Sequence, residues 1–202
     1  FVGEASSADS KRQKMVSNTK KWNPVQTVQS IMQDIREKKT EAPRSRFVSR
    51  MVPMQVTCFA SMEEIVANAT ELIKDYLMPI AIDRATNRKE GEKLPSFKIA
   101  FKRRNCAHIH RDAVVDAIAK IIEELTSNYW SGIVGSTSND NEKKDGTANE
   151  KTGRRLFTVD LTEPDYTIVI ELCRTLVGMS VVADSNSFKN FNLIKMQEES
   201  EE

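Results

Sequence analysis

The stretch VDLTEPDYTIVIE, residues 159–171, combines a tight turn with an apolar strand and decides the architecture of the chain. Pro164 fixes its own φ near the value that a tight turn needs. Three side chains of the turn carry oxygen atoms that can cap its backbone: Asp160, Thr162 and Asp165. Because apolar runs lie on both sides, we predict one strand at Leu156–Leu161 and a second at Tyr166–Cys173.

Further strands are predicted on both sides of this turn. Val177–Val182 follows Tyr166–Cys173 after only three residues, so the two are expected to pair as an antiparallel hairpin. Phe97–Lys102 alternates strictly between apolar side chains on one face and lysines on the other. Alternation between Met54 and Cys58 predicts one more strand nearer the start of the chain.

Amphipathic helices are expected between these strands. Asn23 and Pro24 form a helix start, and the apolar residues that follow recur at spacings of three and four. Ser61 and Glu64 match a capping box, behind which an apolar stripe runs to Pro79. A third helix is predicted from about Arg111 to Thr126, and residues 47–52 are compatible with a short helical turn.

Strands that alternate with helices predict an α/β fold, with a mixed parallel and antiparallel sheet covered by helices. One folded domain is expected over residues 24–194. Three polar segments are expected to lie outside its core: a flexible N-terminal segment at 1–23, an unstructured insertion at 131–153 and a solvated acidic tail at 195–202.

Composition limits the possible classes of protein. The chain has 202 residues and a net charge of +1, so its total charge does not indicate a strongly basic protein. Its three scattered cysteines do not form a disulfide framework, and no apolar run is long enough to span a membrane. We expect a soluble, intracellular protein.

Positive charge is concentrated in one segment. Residues 98–111 carry five cations and no acid: Lys98, Lys102, Arg103, Arg104 and Arg111. Such groups at a strand end and a helix start can contact successive phosphates of a nucleic acid. The alternative is an ordinary solvated surface, which is what a charge run usually is. Arg46 and Arg50 form a second candidate pair, because a helical turn would place them on one face.

Two histidines follow the predicted cationic strand. His108 could contact phosphate or ribose, whereas His110 could equally cap the following helix or lie exposed. Cys106, His108 and His110 alternate as zinc ligands sometimes do, but a structural zinc site needs a fourth ligand and none lies nearby. We therefore expect no metal site and no cofactor. Nucleotide-binding loops and nucleophile elbows are missing from the sequence.

Several of these segments, in this order, resemble the THUMP domain. The turn at 160–165 resembles the DLTxPD hallmark of that family, and RFVSRMVP at 46–53 resembles its R-x-x-x-R-x-x-P element. Phe97–Lys102 with the basic residues after it resembles the basic strand and loop of the family, and Gly178–Leu193 resembles its closing strand and exit. Ser185–Ser187 departs from the aromatic or basic stretch expected there.

This resemblance implies an RNA-binding function without catalysis. Within the family, the sequence is most similar to the stand-alone eukaryotic adaptors of an RNA cytidine acetyltransferase. That similarity implies that the protein presents serine and leucine tRNAs for N4-acetylcytidine formation, with tRNA and the acetyltransferase as partners. It also implies a location in the nucleus or nucleolus. Two alternatives stay open: an RNA-binding module of a larger RNA-modifying enzyme, and a protein-interaction scaffold that does not bind RNA.

Overall fold

The computed structural model describes residues 22–38, 47–89, 91–136 and 155–199. Its helices are α1 Pro24–Arg36, α2 Met62–Leu72, α3 Met78–Thr86, α4 Arg111–Ser136 and α5 Leu193–Glu199. Its strands are β1 Val56–Phe59, β2 Ser96–Arg104, β3 Thr158–Val159, β4 Tyr166–Cys173 and β5 Leu176–Ala183. None of the helices in these four ranges is long and apolar enough to cross a membrane.

The five strands form one mixed sheet in the order β1-β5-β4-β2-β3. β2 is parallel to both β3 and β4, whereas β5 is antiparallel to β4 and to β1. The predicted hairpin between β4 and β5 is confirmed, and its turn consists of Arg174 and Thr175. The α/β fold with a mixed sheet and packed helices is therefore also confirmed.

Helices cover the two faces of the sheet unequally. On one face, α2 and α4 bury residues such as Ile65 and Ile118 against Ile168 and Ile170 of β4. On the other face, α1 and the seven-residue helix α5 cover the β4 and β5 side chains Val169 and Val182. We call the second surface the α1/α5 face. Its smaller helical cover matters because part of the sheet there is left open.

The capping of the first two helices follows the sequence closely. The Asn23 side chain accepts hydrogen bonds from the backbone N–H groups of Val25 and Gln26, as an N-cap should. The Ser61 hydroxyl likewise accepts from the N–H of Glu64. The reciprocal half of the capping box is not formed, because the Ser61 N–H donates to the carbonyl of Phe59 instead.

The helix after Ser61 does not end at Pro79, contrary to the prediction. A π-helical turn at Ile73–Leu77 links α2 to α3, and the Met78 N–H donates to the carbonyl of Ile73, five residues back. Pro79 then occupies the first turn of α3, where its missing N–H costs little. Helix therefore continues beyond Pro79 as far as Thr86.

Helix α4 also extends beyond its predicted end at Thr126 and reaches Ser136. Tyr129 and Trp130 pack against the core, and this tertiary contact carries the helix into a glycine-containing sequence. Residues 131–136 of the predicted insertion are therefore helical, which corrects that prediction. The rest of the insertion, residues 137–153, lies outside the described residues, as do residues 1–21 of the N-terminal segment.

Residues 47–55 are extended and not helical. Arg50 forms an antiparallel bridge with Asn192, the Met51 N–H donates to the carbonyl of Phe191, and the Leu193 N–H donates to the carbonyl of Ser49. Pro53 disfavours helical backbone at the residue before it, which explains why the helical alternative fails. The predicted strand that follows is confirmed as β1.

Two further predictions are corrected at the sheet edge and at the C-terminal segment. β3 contains only Thr158 and Val159, not Leu156–Leu161, because the turn begins at Asp160. The predicted solvated tail is helical as far as Glu199, since α5 buries Leu193 and Met196 against α1. Residues 200–202 lie outside the described residues.

Candidate nucleic-acid interface

The turn between β3 and β4 is built as its sequence predicts. Asp160 Oδ1 accepts hydrogen bonds from the N–H groups of Thr162 (2.8 Å) and Glu163 (3.0 Å), and these bonds hold the pKa of the Asp160 carboxyl below its ordinary value. Asp165 Oδ2 accepts from both the N–H and the hydroxyl of Ser96, at 2.7 and 2.9 Å. Pro164 is buried. These side chains join the turn to the start of β2.

Lys98 is also tied to this turn. Its Nζ donates to Asn186 Oδ1 at 2.9 Å, and the Asn186 amide donates to the carbonyl of Thr162 at 2.6 Å. Ser185 and Thr167 share a buried hydroxyl–hydroxyl hydrogen bond of 2.7 Å beside this link. The polar stretch at 185–187 therefore has a structural function, which explains its departure from an aromatic or basic sequence.

The predicted cationic cluster does not lie on one surface. Strand alternation and the register with β4 place Lys98, Lys102 and Arg104 on the α1/α5 face. Arg103 lies on the opposite face, where its Nη1 donates to the carbonyl of Ile109 at 2.9 Å. Arg111 lies at the start of α4, which packs on that opposite face. These five cations therefore do not form one continuous surface.

The histidines differ in their contacts. His108 Nε2 lies 3.0 Å from the carbonyl oxygen of Ala60, and because that oxygen only accepts, Nε2 carries the hydrogen. The other ring nitrogen of His108 contacts the thiol of Cys106 at 3.6 Å. His110 is exposed, and its carbonyl accepts from the N–H of Val114. Within the described ranges, no cluster of three or more ligand side chains could hold a metal ion.

Of the second candidate pair, Arg46 lies outside the described residues. Arg50 is described, and its guanidinium donates to the carbonyl of Asn190 at 2.8 and 3.3 Å. A second contact joins Arg50 to the Glu171 carboxylate at 3.8 Å. Arg50 is therefore fixed beside the sheet by a backbone and an acidic partner, not by the helical turn that the sequence suggested.

Arg50 and Lys102 meet at a groove of about 380 Å³ on the α1/α5 face. The exposed part of β2 and β4 forms its floor, and the segment before β1 and the segment leading into α5 form its walls. Four cations line this sheet-face groove: Arg50, Lys102, Lys189 and Lys195. Its only lining carboxylate among the described residues is Glu171, which already contacts Arg50.

Lys189 and Lys195 were not predicted from the sequence. They are separated from Lys102 by more than eighty positions and lie in a segment that was expected to be a domain exit and a solvated tail. Lys189 also contacts the Glu199 carboxylate at 2.9 Å. No local charge pattern could have identified them, because only the packing of α5 beside the sheet brings them to Lys102.

The backbone beside Lys189 has an uncommon conformation that shapes the groove. Lys189, Asn190 and Phe191 all have positive φ values, between 48° and 61°, which non-glycine residues rarely adopt in succession. Phe191 is buried in the core, and its ring stacks on Phe188 with centroids 6.1 Å apart. This packing holds the strained turn that directs the chain along the groove wall.

Comparison with known proteins points to one domain family. A family model described as "THUMP domain" matches residues 59–131. Mouse THUMP domain-containing protein 1 is 29% identical over 170 residues, which cover 84% of this chain and 37% of that protein. The Saccharomyces cerevisiae protein named tRNA acetyltransferase TAN1 is 24% identical over 177 residues, covering 87% of this chain and 50% of that protein. The chain thus spans about a third to a half of the length of these relatives.

Solved structures of similar proteins were also found. The solution structure of the THUMP domain of THUMP domain-containing protein 1 is 23% identical, with a TM-score of 0.31, and covers 63% of this chain and 94% of that one. TrmN from Thermus thermophilus is 12% identical, with a TM-score of 0.37, and covers 67% of this chain and 29% of that one.

Proposed function

We propose that the chain is a tRNA-binding adaptor that presents tRNA to an RNA cytidine acetyltransferase for N4-acetylcytidine formation. The match of residues 59–131 to the THUMP domain model supports this proposal. The relatives that bear the THUMP name and the yeast relative named for tRNA acetylation support this assignment. Serine and leucine tRNAs are the substrates that the sequence resemblance implies.

The sheet-face groove is the observation that carries the RNA-binding part of the proposal. Cations from β2, from the segment before β1 and from the α5 region converge on one open surface, although the whole chain is nearly neutral. Lysine and arginine side chains arranged in this way bind the sugar-phosphate backbone and release its counterions. Lys102 and Lys195 are exposed, so a polyanion can reach both.

An adaptor function fits the groove better than a catalytic one. Its described lining contains no histidine or cysteine, and its one carboxylate, Glu171, contacts Arg50. Two side chains with acid–base or nucleophilic groups, Cys106 and His108, do not line it and contact each other. The groove can therefore hold a nucleic acid, and the reaction is assigned to the partner enzyme.

The site residues of the proposal follow from the face on which they lie. Arg50, Lys102, Lys189 and Lys195 line the groove, and Arg104 lies on the same face as Lys102 at the end of β2. Lys98 contributes by holding Asn186 and the turn in place. Arg103, His108 and Arg111 lie elsewhere, so we assign them at most a peripheral contact with RNA.

The test is a charge reversal in the groove. We expect the double substitution Lys102→Glu and Lys195→Glu to weaken tRNA binding at least tenfold in a filter-binding titration, because attraction is replaced by repulsion. The matched control is the double substitution Lys74→Glu and Lys120→Glu, which makes the same charge change at exposed positions of helices that do not line the groove. If both variants bound tRNA with the same affinity as the wild type, the result would favour the protein-scaffold alternative.

A further inference from the structure

Beyond the groove, four side chains form a row across the α1/α5 face at the ends of the strands. The strand registers align Phe59 of β1 with Leu176 of β5, Leu176 with Cys173 of β4, and Cys173 with Arg104 of β2. Aligned residues of neighbouring strands point to the same face of a sheet. We call these four residues the strand-end row, and Phe59 and Arg104 lie about 14 Å apart along it, since strands are spaced by about 4.8 Å.

The strand-end row is open, although half of it is apolar. Phe59 is 60% exposed and Leu176 is 54% exposed, and Cys173 and Arg104 are also exposed. Residues next to them on the same strands, such as Cys58 and Val177, point to the other face and are buried. Helices α1 and α5 cover only the opposite part of the α1/α5 face, around Val169 and Val182.

This row adjoins the sheet-face groove. Each strand has another position on this face two residues away from the row. On β5, β4 and β2 these residues are Gly178, Glu171 and Lys102, which are aligned with one another, and Lys102 lines the groove. Met54 packs on Gly178, so the row meets the groove through Cys173 and Arg104, beside Glu171 and Lys102. This surface has an exposed aromatic ring and an aliphatic side chain at one end, and positive charge at the other. Arg104 lies between the apolar pair and the groove.

We propose that the strand-end row binds an unpaired nucleotide of the RNA, whose base stacks on Phe59 and Leu176 while its neighbouring phosphates contact Arg104 and Lys102. This proposal rests on the proposed function and adds to it a contact that the groove alone does not supply. Every base has a flat apolar face, so stacking on an exposed ring is favourable for any sequence. Bases inside an A-form duplex are stacked on each other and cannot reach the ring, so the nucleotide must be unpaired.

The composition of the surface favours RNA over a protein partner. A protein that docked through Phe59 and Leu176 would need no cations beside them, whereas the row and the adjoining groove supply five: Arg104, Arg50, Lys102, Lys189 and Lys195. Every base of a nucleic acid is linked to phosphates, so a surface with both an aromatic ring and several cations can bind both kinds of group.

The first experiment replaces the Phe59 ring by the indole of tryptophan, which is fluorescent and can also stack on a base. In the full chain, we expect Phe59→Trp to add tryptophan emission that is quenched by a single-stranded ribo-oligonucleotide and not by a blunt-ended RNA duplex. Phe47→Trp is the matched control, because Phe47 is 94% exposed and lies outside the row and the groove. Trp22 and Trp130 contribute the same background to both variants. Equal quenching in the two variants, or none in either, would overturn the proposal.

The second experiment separates this proposal from the proposed function. We expect Phe59→Ala to weaken binding of the single-stranded oligonucleotide about fivefold or more, with little effect on the blunt-ended duplex. Lys102→Glu with Lys195→Glu should weaken binding of both RNAs. If the charge reversal weakens binding and Phe59→Ala does not, RNA binding stands and the stacking contact is rejected. If Phe59→Ala instead abolishes only binding to the acetyltransferase, the row is a protein-docking surface and the proposal fails.

Discussion

Asp160 has a structural function that depends on its charge. Its carboxylate accepts two backbone hydrogen bonds, which lower its pKa from the ordinary 3.8. A carboxyl whose pKa is lower in the folded state stabilises the fold above its unfolded pKa, and this contribution is lost as pH falls through the folded value. The turn before β4 is therefore expected to weaken in acid.

This dependence gives a prediction at the residue scale. Asp160→Ala should lower the thermal unfolding temperature at neutral pH, and the difference from the wild type should shrink below about pH 4. Asp160→Asn keeps an accepting oxygen without the charge, so it should retain part of the stability and lose the pH dependence. Circular-dichroism melts across pH would measure this, and a difference that stays constant down to about pH 2 would contradict it.

Glycine is required at position 178 because Met54 lies too close for a side chain, and not because of the backbone conformation. A Cβ atom at this position would lie 2.6 Å from Met54 Sδ, because Met54 packs directly on the strand. Gly178→Ala should therefore destabilise the fold by about 1 kcal/mol, since the flexible thioether can move aside at some cost. Urea unfolding would measure this loss.

The control for Gly178 is a double substitution. Shortening the neighbour with Met54→Ala removes the contact, so Gly178→Ala should cost clearly less in that background than in the wild type. Equal costs in the two backgrounds would mean that the strand, and not Met54, excludes the methyl group.

At the scale of single elements, α5 was not predicted, because most of its residues were expected to form a solvated tail. Met196 is 1% exposed, whereas its neighbour Ile194 is 42% exposed. Met196→Ala should therefore destabilise the protein by about 2–4 kcal/mol, the usual cost of removing a large buried side chain. Ile194→Ala is the matched control and should change stability by less than about 1 kcal/mol. Similar effects in chemical unfolding would mean that α5 does not pack against α1.

Helices and strands that are determined by the residues of their own segment were predicted well. Asn23 and Ser61 cap their helices with their own side chains, and the alternation of β2 and the hairpin spacing of β4 and β5 are properties of short segments. Helices whose extent depends on packing against distant segments were not predicted in full. The π-turn before Pro79 and the extension of α4 to Ser136 depend on packing partners that no local pattern contains.

At the scale of the whole molecule, RNA affinity should depend on salt in proportion to the phosphates contacted. Removing one groove cation by Lys102→Ala or Lys195→Ala should reduce the slope of log affinity against log salt concentration by about 0.7–0.9. Lys120→Ala, on α4 away from the groove, should leave the slope unchanged. Titrations of tRNA at several salt concentrations would show whether the slope follows the groove or only the net charge.

The residues of the groove were predicted only in part, because the groove is formed by segments that are far apart in sequence. Lys102, Arg104 and Arg50 were identified because they lie in basic segments, and Lys102 and Arg50 line the groove. Arg103 was grouped with Lys102 on the basis of proximity in sequence, but a strand directs neighbouring side chains to opposite faces. Phe59, Lys189 and Lys195 carry no signal in their own segments.

The amino-acid sequence by itself determined the presence of the five strands, the starts of α1, α2 and α4, and the capping of the turn by Asp160, because each depends on a pattern within one short segment. The tertiary structure alone decided which cations share a surface. Strand register, the packing of α5 on α1 and the bridge between Arg50 and Asn192 join segments that are far apart in sequence. A binding surface depends on that packing, so its residues become visible only when the chain is folded.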